Sequence, residues 1–182
     1  MEELFEIVDE QGNIIGQALR EECHRNPCLL HRVSHVLVFN SQGSLYLQKR
    51  SINKDIQPGK WDTSVGGHLN QGETHEDAGI REMAEELGIQ NAALIHLYDY
   101  IWKSSCESEM VRTFMTVYDG EIIYSPDEIE TGRFWTHDEI KRNLNKGIFT
   151  PNFEVEYERY GKSKGAIPPL GGNTSVKWGE IV

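Results

Sequence analysis

Short runs rich in apolar residues, separated by polar turns, recur along this chain, and they predict a protein built mainly of β-strands. Two such runs flank a polar turn at Gly12 and predict a β-hairpin over residues 3–19. The polar stretch that follows, residues 20–27, predicts a short helix or turn. Further runs predict strands over residues 31–40, 44–50, 92–100, 111–118 and 121–124, and one that closes at residues 134–135.

In the segment after a glycine-rich turn at residues 66–72, apolar residues recur about every 3.6 positions. This spacing predicts an amphipathic helix. Thr74 with Asp77 predicts the start of this helix, and Gly88 predicts its C-cap. The expected buried stripe consists of Ile80, Met83, Ala84 and Leu87. The opposite face carries three glutamates whose helical spacing predicts that their side chains converge: Glu82, Glu85 and Glu86.

A second helix is expected from Thr136, which opens a capping box, to about Leu144. Strands interrupted by two helices predict an α/β (α+β) fold in which a mixed sheet lies between helices. No repeat or linker divides the chain, so we expect a single domain over residues 1–160. Residues 161–182 contain five glycines and a Pro-Pro pair without periodicity, and they predict a C-terminal arm or tail.

The composition excludes several classes of function. A net charge of −11 argues against binding long nucleic acid, which requires basic side chains against the phosphates. No apolar run reaches the roughly 18 residues that a membrane helix requires, and the acidic N-terminus does not resemble a signal peptide. Three cysteines suit reduced thiols, so we expect a cytoplasmic protein that does not associate with membranes.

The three glutamates on one helical face have two interpretations. Glutamate is common on exposed helical surfaces, and a solvated face would explain them. Alternatively, they bind a cation, because carboxylate oxygens suit hard divalent metals such as Mg²⁺. The wider spacing favours a cation, since one continuous pattern joins Gly67, Glu73, Arg81-Glu82, Glu85-Glu86 and Gly88-Ile89. This pattern over residues 67–89, here called the box, resembles the signature of the Nudix hydrolases.

The resemblance implies an α/β/α sandwich of the Nudix type, with a mixed sheet and the N-terminal hairpin attached to it. It also implies hydrolysis of a diphosphate linked to another group, with Mg²⁺ or Mn²⁺ as the cofactor. The metal ligands that it implies are the backbone carbonyl of Gly66 and the carboxylates of Glu82, Glu85 and Glu86.

Other residues of the box take supporting or alternative roles in this resemblance. Arg81 is expected to pair with Glu73 and to orient the loop before the helix. Glu82 is expected either to bind a further metal ion or to act as the base on the attacking water. The position of the base varies within the family, and the further candidates here are Glu107, Glu109 and Glu128. For Glu128 the pattern favours the alternative of a solvated loop carboxylate.

A closer resemblance covers roughly residues 4–155. The segments LLHRVSHVLVFN, LQKRSINKDIQPGKWDTSVGGH and CESEMVRTF are similar to isopentenyl-diphosphate isomerase, itself a Nudix-fold enzyme. This similarity implies a second metal site at His24, His31, His68, Glu107 and Glu109; alternatively, these are ordinary polar residues of loops and strand ends. It also matches Lys49, Arg50 and Lys54 to a diphosphate site, although a solvated strand end would explain them too.

Three departures from the isomerase favour hydrolysis. Gly66 stands where the isomerase has its catalytic cysteine, and Asn152 stands where it has a tryptophan that stabilises a carbocation. The isomerase box is also degraded, whereas the box here is complete.

The first hypothesis is therefore a metal-dependent hydrolase that acts on a small diphosphate, such as a nucleoside di- or triphosphate or a nucleotide-linked metabolite. The alternatives are an isomerase of isoprenoid diphosphates and a noncatalytic domain that senses nucleotides. The hairpin and the tail are candidate contacts of a homodimer.

Overall fold

The computed structural model describes residues 3–54, 56–124, 126 and 129–163. Its strands are β1 (Leu4–Val8), β2 (Ile14–Leu19), β3 (Leu30–Phe39), β4 (Leu45–Arg50), β5 (Trp61–Asp62), β6 (Val65–His68), β7 (Ile95–Lys103), β8 (Ser108–Val117) and β9 (Ile129–Trp135). Its helices are α1 (Arg20–Cys23), α2 (His75–Leu87), α3 (His137–Asn143) and α4 (Pro151–Ser163). Within these described ranges, no helix combines the length and the apolar character needed to cross a membrane.

The described strands join one mixed sheet whose centre is β3. β3 pairs in parallel with β8 along its whole length. Its other edge is shared in turn by β1, β6 and β4, all of them antiparallel to it. The predicted N-terminal hairpin is confirmed, because β1 and β2 pair antiparallel and β1 attaches them to the sheet.

The sheet separates two apolar layers, because successive residues of β3 point to opposite faces. Val36 lies in one apolar cluster together with Met83 of α2. Leu37 lies in the cluster on the other side, which also contains Ile140 of α3 and Phe153 of α4. This arrangement of helices on both faces of a mixed sheet confirms the predicted fold class.

Helix α2 begins and ends as predicted, but its buried face is rotated. Thr74 accepts the expected capping hydrogen bond, and Gly88 adopts a left-handed conformation with φ of 67°. Ile80, expected in the buried stripe, is 40% exposed. Gly79 faces the sheet instead, because a Cβ at this position would lie only 3.0 Å from Ser34 Oγ. This glycine lets α2 approach the sheet closely. The residues that are buried as a result are Ala78, Gly79, Met83, Glu86 and Leu87.

Two further expectations for local structure are wrong. Gly66 and Gly67 lie within β6, and the turn before α2 falls later, at Gly72 with φ of 75°. Residues 121–124 do not form a strand: within the described part of the chain they pair with no strand, and they lie beside the end of α2. One of their N–H groups donates to the carbonyl of Leu87.

Helix α4 lies where the apolar pattern predicted no helix. Its buried residues are Phe153, Glu156, Tyr157 and Tyr160, which have helical spacing. Glu156 is a charged residue within this buried face, so the sequence shows no continuous apolar period there. The helix continues to Ser163, beyond the predicted domain limit at residue 160, and the rest of the predicted tail lies outside the described residues.

Candidate functional site

Strand β6 places Gly66 and Gly67 opposite His35 and Ser34 of β3, so the two glycines face opposite sides of the sheet. A Cβ added at Gly67 would collide with the side chain of Glu82 from α2. The carboxyl group of Glu82 therefore lies directly against the backbone of β6. This close approach is the physical reason for a glycine at position 67.

Arg81 connects α2 to the preceding loop through several hydrogen bonds. Its Nε and Nη2 groups donate to the two carboxylate oxygens of Glu73, both at 2.9 Å, which is a bidentate pair. The guanidinium also donates to Glu82 at 2.7 Å, to Glu85 at 3.2 Å and to the carbonyl of His68 at 3.0 Å. The hydrogen bond from Arg81 lowers the pKa of Glu73. The guanidinium of Arg81 thereby orders the loop between β6 and α2.

The three box glutamates lie in different environments. Glu86 is 9% exposed and accepts a hydrogen bond from Gln48 Nε2 at 3.0 Å. Glu82 is held between Arg81 and the backbone of β6. The side chain of Glu85 is 61% exposed, and it accepts a hydrogen bond from the same Arg81 nitrogen that binds Glu82. Arg81 Nη1 thus bridges the carboxylates of Glu82 and Glu85, whereas Glu86 is the buried member of the three.

A second cluster forms where the end of α1, β3 and β6 meet. The ligand nitrogens of His24, His31 and His68 all lie within 4.8 Å of one another. Nε2 of His24 and Nε2 of His68 are 3.4 Å apart. Phe5 of β1 stacks on His68 with a distance of 4.1 Å between ring centroids. Burial lowers the pKa of His31, and burial followed by the neighbouring imidazoles lowers that of His68.

The donor atoms of this histidine cluster fit a divalent metal ion. Nε2 of His31 is buried and has no hydrogen-bond partner within the described residues. Such an unpaired buried group costs about 1–3 kcal/mol, and a bound metal would satisfy it. Neutral imidazole is also a common metal ligand. Among the groups that the structure describes, the three box glutamates do not form a cluster of this compactness.

Glu107 and Glu109 border the histidine cluster at the start of β8. Glu109 is opposite His31 in the strand register, and Glu107 Oε2 lies 3.9 Å from His24 Nε2. Burial raises the pKa of Glu107, and burial followed by the charge of Glu107 raises the pKa of Glu109 to about 7. Asn152 of α4 donates a hydrogen bond to Glu109 at 3.2 Å. The structure thus places all five residues of the expected second metal site at one end of the sheet.

The basic residues expected to bind phosphate are paired with carboxylates. Arg50 donates to Asp62 at 3.0 Å, and Lys49 donates to Glu130 at 2.7 Å. Lys54 lies in the loop that follows β4. A phosphate ligand would therefore compete with Asp62 and Glu130 for two of these cations.

His35 is a residue of this region whose environment the sequence does not reveal. It is buried, and its Nδ1 pairs with Glu156 Oε1 of α4 at 2.9 Å. Burial opposes a charge on His35, but the Glu156 carboxylate outweighs this effect and raises the pKa to about 9. The two residues are 121 positions apart, so no local pattern links them.

Comparison with known proteins points to one family. The family model described as NUDIX domain matches residues 29–153. An uncharacterized Nudix hydrolase of Nostoc sp. is 37% identical over 150 residues, which cover 80% of this chain and 87% of that protein. An isopentenyl-diphosphate Delta-isomerase of Streptomyces avermitilis is 41% identical over 156 residues, covering 82% and 79%. The crystal structure of DR0079 from Deinococcus radiodurans has a TM-score of 0.75 and 26% identity, covering 87% of this chain and 99% of that one.

The matched region contains β6, α2 and most of the sheet, and of the candidate site residues it leaves out only His24. Both the sequence similarity and the superposition extend over most of the described chain. The chain therefore belongs to the Nudix family, and it is an enzyme of the Nudix pyrophosphohydrolase class.

Proposed function

We propose that this chain is a metal-dependent Nudix hydrolase that cleaves a phosphoanhydride bond of a small diphosphate-containing substrate by attack of water on phosphorus. The observation that carries the proposal is the arrangement around Arg81, which pairs with Glu73 and holds Glu82 against β6. A solvated helical face does not explain a carboxylate pressed against a glycine backbone. It also does not explain why Glu86 is buried beside Gln48.

Three glutamates of the box and the residue that precedes the box are the proposed holders of Mg²⁺ or Mn²⁺. The ligands are the carbonyl of Gly66 and the carboxylates of Glu82, Glu85 and Glu86. When bound, such an ion neutralises phosphate charge and lowers the pKa of water. Arg81 keeps Glu82 in place, Gln48 fixes Glu86, and the exposed side chain of Glu85 can turn inward without disturbing the core.

Hydrolysis also requires a group that takes a proton from the water while its oxygen bonds to phosphorus and the bridging oxygen leaves. Glu82 is the first candidate, because Arg81 fixes its carboxylate at β6. Glu109 is the second, because a pKa of about 7 suits a general base near neutral pH. Glu107 remains a third candidate, and Glu128 lies outside the described residues.

The histidine cluster is proposed to hold a second metal ion together with Glu107 and Glu109. Three observations support this: the compact group of ring nitrogens, the unpaired Nε2 of His31 and the low pKa of His68. Imidazole and carboxylate ligands together suit Mn²⁺ or Zn²⁺.

The proposed substrate is a nucleoside di- or triphosphate or a nucleotide-linked metabolite. Arg50, Lys49 and Lys54 are the proposed phosphate ligands, and on binding Arg50 would exchange the carboxylate of Asp62 for phosphate oxygens. That the protein is cytoplasmic and that it forms a homodimer remain predictions.

A second candidate function is isomerisation of an isoprenoid diphosphate. The relatives named isopentenyl-diphosphate Delta-isomerase and the histidine cluster favour it. Gly66 argues against it, because β6 then offers no thiol as a proton donor.

Release of phosphate or pyrophosphate from nucleotides, dinucleotides, sugar nucleotides and prenyl diphosphates tests the proposal. We expect release from some of these compounds only when Mg²⁺ or Mn²⁺ is present. Glu82→Gln and Glu86→Gln should each lower kcat about 100-fold, because each removes a metal-facing charge. Circular dichroism should show that both variants remain folded.

Glu76→Gln is the matched control for these two substitutions, since Glu76 is exposed on the same helix and lies outside the metal-facing positions. It should keep full activity. Full metal-dependent activity in both Glu82→Gln and Glu86→Gln would refute the site assignment. Migration of the double bond in isopentenyl diphosphate, without phosphate release, would establish the isomerase instead.

A further inference from the structure

Helix α4 makes three polar contacts with the wall of the candidate site. Thr150, which precedes the helix, donates to Asp62 at 2.7 Å, and Asp62 in turn binds Arg50. Asn152 donates to Glu109, as described above. Glu156, the sixth residue of α4, binds His35 of β3. These contacts show that α4 supports the candidate site as well as the apolar core.

The contact between His35 and Glu156 is the most enclosed of the three. The side chain of Glu156 is 0% exposed, and that of His35 is 7% exposed. Thr113 of β8 donates to the same carboxylate oxygen at 2.9 Å, and Tyr98 of β7 donates to the Glu156 carbonyl at 3.2 Å. Because three strands and α4 converge on this pair, the imidazole ring has one well-defined position.

The ring of His35 lies directly beside Gly66. A Cβ added at Gly66 would stand 3.2 Å from both Cδ2 and Nε2 of His35, and 3.4 Å from Cγ2 of Thr63. Contacts of 3.2 Å are shorter than carbon atoms adopt without strain. The ring therefore occupies the space that a side chain at position 66 would take. Since Glu156 fixes the ring, the ring in turn supports the backbone of β6 at Gly66.

We propose that His35 is a positioning residue of the reaction centre, which sets the place of the Gly66 backbone and of the carbonyl oxygen that it presents to the metal. This inference rests on the proposed function in one respect, the assignment of the Gly66 carbonyl as a metal ligand. His35 does not contact the reacting atoms; it acts through β6. Glu156 acts through His35, so that α4 is mechanically linked to β6 at Gly66.

A double-mutant cycle between His35→Asn and Gly66→Ala tests the link. Asn keeps a hydrogen-bonding group near the place of Nδ1, but it removes the part of the ring beside Gly66. We expect His35→Asn to weaken Mg²⁺ binding, measured by calorimetry, and to lower kcat, each by about 10-fold. The KM for the substrate should change less than about 2-fold, because the substrate contacts remain.

Gly66→Ala alone should weaken Mg²⁺ binding to a similar extent, because its methyl group displaces either β6 or the fixed ring. In the double variant the methyl group enters the space that the ring has left. We therefore expect the double variant to bind Mg²⁺ at least about 3-fold more tightly than the product of the two single effects. Gly16→Ala is the control, since nothing lies within 4 Å of its added Cβ, and it should leave Mg²⁺ binding unchanged.

The inference is overturned if His35→Asn leaves Mg²⁺ binding unchanged, or if the two single effects multiply in the double variant. Should His35→Asn not fold, Glu156→Gln tests the same link, because it keeps the side-chain shape but loses the charge that holds the ring. Weaker Mg²⁺ binding in Glu156→Gln supports the inference, and unchanged binding contradicts it. Calorimetry needs no substrate, so a protein that hydrolyses nothing would refute the proposed function and leave this test decisive.

Discussion

Glu109 is a buried carboxylate whose protonation is linked to folding. Burial, followed by the charge of Glu107, raises its pKa in the folded state to about 7, against an ordinary value of 4.5. A group with a raised folded pKa binds more protons in the folded state than in the unfolded state. Ionisation of Glu109 therefore does not destabilise the folded protein below pH 4.5. The destabilisation grows as the pH rises and is complete above about pH 7.

We expect Glu109→Gln to stabilise the metal-free protein at pH 8 by about 2–3 kcal/mol, since Gln cannot ionise. Gln still accepts a hydrogen bond from Asn152, so the local packing is kept. At pH 5 the gain should be much smaller, because the folded wild-type protein is then protonated at Glu109. Urea unfolding with a chelator at both pH values measures this difference.

Glu10→Gln is the matched control, because Glu10 is exposed at the hairpin turn. Its effect should be small and the same at both pH values. An equal gain from Glu109→Gln at pH 5 and pH 8 would contradict the burial argument. Addition of Mn²⁺ or Zn²⁺ should reverse the order of stability, because only the wild-type carboxylate binds the metal with full charge.

Helix α4 covers one apolar face of the sheet. Phe153 and Tyr157 lie in a cluster with Phe39 of β3, and the ring centroids of Phe153 and Tyr157 are 5.8 Å apart. Glu156 lies between these aromatic residues in the sequence and faces the same side. One face of α4 therefore serves both the core and the candidate site.

Phe153→Ala should destabilise the protein by about 3–5 kcal/mol, because the lost ring leaves a cavity in the core. Thermal and urea unfolding measure the loss. Glu158→Ala is the control, since its side chain is exposed on the opposite face of α4, and it should cost at most about 0.5 kcal/mol. A loss below about 1 kcal/mol for Phe153→Ala would show that α4 is not part of the cooperative core.

The charge of the whole molecule opposes the approach of its proposed substrate. The net charge is −11, and a diphosphate is also an anion. In addition, Asp62 and Glu130 already neutralise the nearby cations Arg50 and Lys49. The long-range field is therefore repulsive, and salt screens such fields over about 8–10 Å.

We expect kcat/KM to rise about 2–5-fold between 10 and 150 mM ionic strength, at saturating Mg²⁺, because screening reduces this repulsion. The value of kcat, measured with saturating substrate, should stay constant and serves as the internal control. Steady-state kinetics in a series of NaCl concentrations provides the measurement. A fall in kcat/KM with salt would instead show that local cations dominate the encounter.

The sequence by itself determines the features whose causes are local. The hairpin follows from apolar runs on both sides of a short polar turn, and the ends of α2 follow from Thr74 and Gly88. The box can be recognised from the sequence for the same reason. Glu73 lies in the loop directly before α2 and Arg81 lies in α2, so their separation along the chain is enough to bring the two side chains together. These contacts depend on near neighbours, which the sequence lists in order.

The tertiary structure alone decides which distant groups meet. Gly79 lets α2 approach β3, and that approach rotates the buried face away from Ile80. Residues 121–124 have strand composition but no partner strand, so they form none. His35 becomes a buried member of an ion pair because α4 carries Glu156 across the sheet to it. Burial and pairing come from partners that only the complete fold supplies, so no short stretch of sequence contains them.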